Sequence, residues 1–246
     1  MHRFFIPPGS IRGEHVDFPR PAAEQMRSVL RIASGERVVV LVDDGWECEV
    51  EVTRIGKGEA EGRLLDRRPN SREPRVALTL YQCLLKADHF EWVLQKGVEV
   101  GVTRFVPVVS ERTVVRGETA GRKRERWERI VVEAAEQSGR GHIPVLGEVM
   151  SASDAWADCA AHDFKAVAWE EEHAVTLGSL RDDAGGRAPA SIGLVIGPEG
   201  GFSPAEIEAA GRCGVPAVTL GVRTLRAETA AVVMAALALD MFGELG

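Results

Sequence analysis

The chain has 246 residues, 45% of them hydrophobic, and a formal net charge of −7 at pH 7. This length allows one large or two modest domains with a substantial buried core. The acidic balance argues against indiscriminate nucleic-acid binding, which requires a basic surface, and residues 151–246 are the most acidic part, with 6 Lys and Arg against 14 Asp and Glu.

No apolar run approaches the length of a membrane span, so we expect a cytoplasmic protein. The four cysteines lack CxxC spacing and a histidine companion, which argues against a disulfide framework and against a zinc site. We expect them to be buried thiols: Cys48, Cys83, Cys159 and Cys213. No metal is expected to bind.

The N-terminal region is predicted to form a small β-barrel. Three segments are rich in β-formers: residues 37–42, 47–55 and 59–65. Asp44-Gly45 is a strong hairpin signal between the first two. Residues 66–74 are polar, contain two prolines and lack apolar periodicity, so they are predicted to be a linker. The boundary between the two predicted domains is placed at residue 73.

The remainder, residues 74–246, alternates between apolar strands and helical segments. Strands are predicted at residues 76–85, 105–109, 164–169, 192–196 and 217–221. Helices are predicted at about residues 88–100, 120–138 and 229–242. This alternation predicts an α/β domain with a mostly parallel sheet.

The loop after the strand at 192–196 is a candidate ligand-binding loop. Glycines at 197, 200 and 201 allow positive φ and a close approach of backbone to ligand, and Pro198 stiffens the turn. Ser203-Pro204-Ala205-Glu206 is a helix start in which Ser203 and Glu206 can form a capping box. The alternative is an ordinary strand-to-helix turn, since glycine marks turns generally.

The loop after the strand at 217–221 carries Arg223, Arg226 and Glu228 ahead of an alanine-rich helix. Charged residues at such a place are costly unless they are paired or used. Ligands of parallel α/β sheets bind at strand ends, which favours a functional role. The alternative is a structural ion pair between Arg226 and Glu228.

Both loops carry a family resemblance. Residues 197–203 read GPEGGFS, and residues 220–230 read LGVRTLRAETA. Together they resemble the SPOUT class of RNA methyltransferases, and specifically the ribosomal RNA small subunit methyltransferase E family. Further family-like segments lie at residues 2–5, 29–31, 96–102, 110–112 and 133–140. Three positions depart from the family pattern: Gln25 replaces an expected histidine, Val100 a leucine and Thr224 an isoleucine.

The resemblance implies a PUA-like β-barrel RNA-binding domain at residues 1–73 and a SPOUT α/β domain with a deep trefoil knot at residues 74–246. It implies S-adenosylmethionine-dependent methylation of N3 of a uridine in 16S rRNA of the 30S subunit, by a homodimer without a metal. Periodicity alone would not propose a knot, because knots are rare.

The resemblance also implies roles for particular residues. The cofactor would be bound by Gly197, Glu199, Gly200, Gly201, Leu220, Gly221 and Leu225. For the catalytic roles, the choice rests on position: Arg226 would polarise or orient the substrate, and Glu228 would accept the N3 proton or fix Arg226. The RNA contacts would be Arg3, Arg31, Arg112, Gln137 and Arg140.

Three of the predicted RNA contacts have structural alternatives. Arg112 belongs to a basic cluster at residues 112–129 whose interleaved acids are equally typical of a solvated helix face. Gln137 and Arg140 lie where a helix ends, and Gly139 suits a C-cap there.

Three other functions are alternatives to this one. A SPOUT enzyme could act on another RNA, such as tRNA or 23S rRNA. A noncatalytic RNA-binding assembly factor could retain the fold, although it would have little use for both loops. A Rossmann or phosphate-loop enzyme is disfavoured, because the chain has no GxxxxGK[ST] motif.

Overall fold

The computed structural model describes residues 1–115, 117–183 and 185–245, with the backbone alone for residues 117–122. The chain divides into two compact units. Unit 1 is Met1–Glu73 with Ala135–Ile143, and unit 2 is Pro74–Ala134 with Pro144–Gly246. The sequence prediction assigns residues 135–143 to the second domain, whereas in the structure they belong to unit 1.

Unit 1 contains a six-stranded sheet of order β1-β4-β5-β6-β3-β2. Its strands are β1 Arg3–Phe5, β2 Ile11–Arg12, β3 His15–Phe18, β4 Arg37–Leu41, β5 Trp46–Ile55 and β6 Ala60–Pro69. All neighbours are antiparallel except β1 and β4. Unit 1 also contains a short 3₁₀ turn at Pro8–Ser10, helix α1 at Arg20–Ser28 and, from residue 135 onward, the end of the helix Gly117–Ser138. One hydrophobic core, which includes Phe4, Phe18 and Met26, fills it.

The predicted hairpin between β4 and β5 is confirmed, with Gly45 at φ +77°. The predicted linker is partly wrong, because β6 continues to Pro69 and pairs with the start of β5. Cross-strand ion pairs explain the difference. Arg68 Nε donates to Glu47 at 2.6 Å, and Arg67 Nη2 donates to Asp44 at 2.7 Å. Opposite charges on facing positions favour strand pairing even where apolar periodicity is lacking.

The segment Ala135–Ile143 is held to the rest of unit 1 by Glu73. Its carboxylate accepts hydrogen bonds from Arg140 Nη2 at 2.7 Å and from the Gly141 and His142 amides at 2.7 and 3.1 Å. Burial opposes ionisation, but Arg140 and the two amides together lower the pKa of Glu73. The Asn70 side chain also donates to Gly139 O at 2.9 Å.

Unit 2 contains a seven-stranded parallel sheet, which confirms the predicted α/β class. Its strands are β7 Ala77–Cys83, β8 Arg104–Val109, β9 Val145–Leu146, β10 Met150–Ser151, β11 Phe164–Ala168, β12 Ser191–Ile196 and β13 Ala217–Val218. The order is β10-β8-β7-β12-β11-β13, and β9 pairs with β8. The further helices of the chain are α2 His89–Val100, α3 Gly117–Ser138, α4 Ala152–Ala160, α5 Leu177–Asp183, α6 Pro204–Arg212 and α7 Ala227–Met241.

The predicted last strand is mostly wrong, since only Ala217–Val218 pairs as a strand. The three residues that follow are loop, because Gly221 adopts φ +112° and its amide bonds the Thr219 side chain instead of a neighbouring strand. Helix α7 begins at Ala227, two residues before the predicted start.

Two further sequence expectations concern the burial of the cysteines and the absence of a membrane-spanning helix. Of the four free cysteines, Cys213 is exposed, so the expectation of four buried thiols is wrong at that position. Among the helices of the described residues, none is both long and apolar enough to cross a membrane.

A cluster of polar side chains in unit 2 forms around Tyr81 of β7. The Tyr81 hydroxyl donates to Asp158 Oδ2 at 2.6 Å and lies 3.1 Å from His162 Nε2. Arg104 Nη1 donates to the same Asp158 oxygen at 2.9 Å. Burial lowers the pKa of His162, and nearby Arg104 lowers it further, although Asp158 acts in the opposite direction.

We expect the protein to lose stability as the pH falls below the ordinary histidine value of 6.5, because His162 resists protonation in the fold but accepts a proton once unfolded. The free energy of unfolding should therefore fall less for His162→Gln than for the wild type between about pH 7.5 and about pH 5.5. Urea unfolding followed by circular dichroism measures both series. His173→Gln, which changes an exposed histidine, is the control. Parallel pH curves for the wild type and His162→Gln would contradict the expectation.

Candidate functional site

A cavity of about 640 Å³ lies in unit 2 at the carboxyl ends of the parallel strands. Its walls are the loops that follow β11, β12 and β13, together with Lys86 and His89, which follow β7. These four strands are consecutive in the sheet, so their carboxyl ends form one continuous edge. Volumes of this size are typical of sites for small molecules and cofactors.

The loop after β12 contains Gly197, Glu199, Gly200 and Gly201 of the predicted cofactor site. Glu199 Oε1 accepts from the Lys86 amide at 2.8 Å, which ties this loop to the one after β7. Gly201 has φ +66°, and a Cβ there would overlap the Glu170 carboxylate from the loop after β11. A side chain here would therefore displace the Glu170 carboxylate, and the positive φ itself favours glycine.

The predicted capping box at the start of α6 is confirmed. Ser203 Oγ accepts from the Glu206 amide at 3.4 Å, and Glu206 Oε2 accepts from the Ser203 amide at 2.9 Å. The pair is extended by Glu111, which accepts from Ser203 Oγ at 2.8 Å and donates its amide to Glu206 Oε1 at 2.9 Å. The loop at residues 197–201, called the GPEGG loop below, is thereby fixed at the end where it enters α6.

The loop after β13 supplies Leu220, Gly221 and Leu225, and all three line the cavity. Arg226 is the N-cap residue of α7, and its carbonyl accepts from the Ala230 amide at 2.8 Å. The structure therefore brings the seven predicted cofactor-binding residues to one region: six line the cavity, and Gly200 lies in the loop that forms its wall.

The loop after β11 completes the cavity with Trp169, Glu170 and His173. Glu172 shapes this loop, because its Oε1 accepts from the amides of residues 173, 174 and 175 at 2.9, 2.8 and 3.1 Å. These backbone donors lower the pKa of Glu172. Trp169 Nε1 is buried without a hydrogen-bond partner in the described residues.

The two predicted catalytic residues both line the cavity, but they do not pair with each other. Glu228 Oε1 lies 3.0 Å from His89 Nδ1, and the Glu228 side chain is 13% exposed. Arg226 is exposed and forms no ion pair with any described residue. The alternative of a structural ion pair between Arg226 and Glu228 is therefore wrong.

His89 was missed by the sequence analysis. It is the first residue of α2, only six residues after β7 ends, so it lies at the same sheet edge as the glycine loops. The available signal was its position behind a strand, but the sheet order that makes β7 a neighbour of β12 is not apparent from one sequence. In the described residues, no group of three or more His, Cys, Asp or Glu could hold a metal ion.

The predicted RNA contacts have different environments. Arg31 and Gln137 of unit 1 and Arg112 of unit 2 are exposed. Arg112 Nη1 donates to Gly200 O at 3.0 Å, so it supports the GPEGG loop as well. Arg3 is half-buried, its Nε has no described partner, and burial followed by the nearby Arg72 lowers its pKa.

Arg140 differs from the other predicted RNA contacts because its side chain is only 4% exposed. Its guanidinium faces the Glu73 carboxylate, which explains its burial. Gly139 has φ +79°, so the helix ends in the C-cap that was the structural alternative. This geometry supports a packing role for Arg140.

The basic cluster is largely neutralised where it is described. Arg124, Arg126 and Arg129 pair with Glu128, Glu91 and Glu133 at 2.9, 2.6 and 3.7 Å. The pairs with Glu128 and Glu133 lie within α3 and are typical of a solvated helix face, whereas Arg126 pairs with the buried Glu91 of α2. Two further members, Arg116 and Arg122, lie outside the described residues and side chains.

Comparisons with known proteins give consistent results. A family model described as an RNA methyltransferase domain matches residues 72–239. A curated Bacillus subtilis protein named ribosomal RNA small subunit methyltransferase E is 32% identical over 94% of this chain and 93% of its own length. A protein of the same name from Aquifex aeolicus is 30% identical over 83% of this chain and 85% of its own length.

Two solved structures are similar along nearly the whole chain. One is ribosomal RNA small subunit methyltransferase E from Neisseria gonorrhoeae bound to S-adenosyl methionine, with a TM-score of 0.91 and 31% identity over 100% of both chains. The other is a putative methyltransferase from Legionella pneumophila in complex with the bound cofactor SAM. Its TM-score is 0.86 and its identity 28%, over 97% of this chain and 96% of that one.

Replacing Gly201 with Ala tests the tight packing of the GPEGG loop. We expect Gly201→Ala to lower the free energy of unfolding by about 1–2 kcal/mol, because its φ of +66° is costly for a residue with a Cβ. Gly211→Ala is the control, since nothing lies within 4 Å of its Cβ position in helix α6. It should be neutral or slightly stabilising. Chemical unfolding measures both, and equal effects would contradict the argument.

Proposed function

Because the chain belongs to the ribosomal RNA small subunit methyltransferase E family, we propose that it transfers a methyl group from S-adenosylmethionine to ribosomal RNA of the small subunit. The observation that carries this proposal is the cavity in which loops from three neighbouring strand ends meet. A relative with the same fold along its whole length is bound to that cofactor. The reaction class follows from the family.

The residues of the cavity fit this cofactor. Apolar side chains such as Ile196 and Leu225 suit an adenine ring, and the glycine loops offer backbone amides and carbonyls. Glu170 adds a carboxylate for the positively charged end of the molecule, and the buried Trp169 Nε1 lacks a partner in the described residues. We assign binding to Gly197, Glu199, Gly200, Gly201, Leu220, Gly221 and Leu225. When bound, the cofactor supplies a methyl group that its sulfonium already activates, so no metal is required.

The target that we propose is N3 of a uridine in 16S rRNA of the 30S subunit. The relatives' names support the small subunit, whereas the choice of uridine N3 rests on the family resemblance. A uracil N3 carries a proton that must leave before N3 can attack the methyl group, so the site needs a base and a stabiliser of negative charge. Glu228 is the proposed base, and Arg226 the proposed stabiliser.

Further proposals concern the architecture and partners. We propose that unit 1 is a PUA-like RNA-binding barrel, that unit 2 contains the deep trefoil knot of SPOUT enzymes, and that the protein acts as a homodimer. Arg3, Arg31, Arg112 and Gln137 are the proposed RNA contacts. A ribosomal RNA substrate also supports a cytoplasmic location.

Methyl transfer from labelled S-adenosylmethionine tests the function directly. The substrates are 30S subunits lacking the modification, free 16S rRNA and tRNA, followed by nucleoside analysis. Label in 3-methyluridine from 30S subunits is the expected result. Label only in tRNA, or in a different nucleoside, would overturn the proposed target, and cofactor binding without transfer to any RNA would favour a noncatalytic binder.

Gly221→Ala tests the cofactor assignment. Gly221 lines the cavity at φ +112°, so a Cβ strains the loop that it belongs to. Affinity for S-adenosylmethionine, measured by calorimetry, should fall about tenfold. Gly214→Ala introduces comparable strain at φ +79° outside the cavity, also with open space around it. It should leave the affinity unchanged; an equal loss in both variants would remove Gly221 from the site.

A further inference from the structure

The His89–Glu228 pair brings together two helix starts at the wall of the cavity. His89 is the first residue of α2, and Glu228 lies in the first turn of α7. His89 Nδ1 and Glu228 Oε1 are 3.0 Å apart, with exposed side-chain fractions of 38% and 13%. The carboxylate is therefore largely withdrawn from solvent, while the imidazole keeps contact with it.

This pairing leaves one carboxylate oxygen available. His89 Nδ1 lies beside Oε1, and Glu228 forms no ion pair with any other described residue. A carboxylate fixed at one oxygen by a histidine and lining a cavity has the arrangement expected of an oriented base.

The other charged and titratable groups that face the cavity do not take this role. They are Lys86 after β7, Glu170 and His173 after β11, Glu199 after β12, and Arg223 and Arg226 after β13. None of them forms an ion pair with Glu228 in the described residues. His89 is therefore the group that orients Glu228 directly.

We propose that His89 is a positioning residue that orients Glu228 as the base and carries the abstracted proton to solvent. This inference rests on the proposed methyl transfer and deepens it. The substrate N3–H bond breaks and its proton passes to Glu228. The N3 electron pair forms the new bond to the methyl carbon, and the carbon–sulfur electron pair remains on sulfur. The His89–Glu228 pair then returns the proton to water at the exposed imidazole.

The mechanism also defines the class of substrate. An amine nitrogen can attack through its lone pair before it loses a proton, whereas an imide N–H must be deprotonated first, and a ribose hydroxyl is less acidic than an imide. A carboxylate that is oriented but only slightly exposed suits an imide N–H of this acidity. The pair therefore matches a uracil N3 position.

A double-mutant cycle tests the inference, with kcat, KM and cofactor affinity measured for methyl transfer to 30S subunits. Glu228→Gln should lower kcat by about 10²–10⁴-fold, the usual contribution of a general base. His89→Gln should lower kcat about tenfold with unchanged cofactor affinity, since coupled neighbours typically interact by 0.5–3 kcal/mol. The double variant should be no slower than Glu228→Gln, because His89 acts only through that carboxylate.

Two further variants make the result specific. His15→Gln is the matched control, because His15 Nε2 lies at the same 3.0 Å from an Asp17 oxygen but in unit 1. It should retain wild-type kcat. His89→Lys keeps a nitrogen donor near Glu228 but lacks an imidazole, which can accept a proton at one nitrogen and release one from the other. It should recover part of the lost kcat, and its pH–rate curve should differ in shape from that of the wild type.

The outcomes separate the two proposals. Wild-type kcat in His89→Gln, or losses that multiply in the double variant, would overturn the role of His89 while the methyl transfer stands. A wild-type protein that labels no RNA would overturn the proposed function and this inference with it. Should His89→Gln fail to fold by circular dichroism, His89→Lys in place of His89→Gln completes the same cycle.

Discussion

The parallel pairing of β12 with β7 on one side and β11 on the other sets the position of every loop around the cavity. Six consecutive residue pairs join β12 to β7, from Ser191–Ala77 to Ile196–Gln82, and four join it to β11. Parallel strands in register end at the same edge, so segments that are far apart in sequence leave the sheet side by side. A shift of this register would separate the glycine loops from the start of α2.

Backbone amides, more than cationic side chains, hold the acidic residues around this edge. Glu199 accepts from the Lys86 amide, Glu172 from three successive amides, and Glu206 from the amides of Ser203 and Glu111. Such bonds fix a loop through its own carboxylate without using a cationic side chain as the partner. They also leave the cationic side chains of the cavity available for a ligand. The rigidity of the loops and the charge of the site are thus set by different groups.

The sequence predicted those features that depend on local chemistry. The hairpin at Asp44-Gly45, the capping box at Ser203 and Glu206, and the parallel α/β class all follow from nearby residues, and all are confirmed. Features that depend on distant partners were missed or wrong. Arg140 can be buried because its guanidinium donates hydrogen bonds to the Glu73 carboxylate. His89 lies at the site because β7 and β12 are neighbours in the sheet. One sequence contains no signal for either pairing, since charge and periodicity describe a residue but not its partner.

The separation of Arg226 from Glu228 bears directly on the proposed chemistry. An ion pair between them would offset the charge of each side chain. The substrate would then have to compete with Glu228 for Arg226, and with Arg226 for Glu228. In the structure Glu228 contacts His89, and Arg226 has no ion pair with any described residue. Removal of a proton from a uracil leaves negative charge on the ring, which a guanidinium without a carboxylate partner can stabilise. In the proposed mechanism, His89 would thus do more than orient the base: because it, and not Arg226, contacts Glu228, the guanidinium would be left for the substrate.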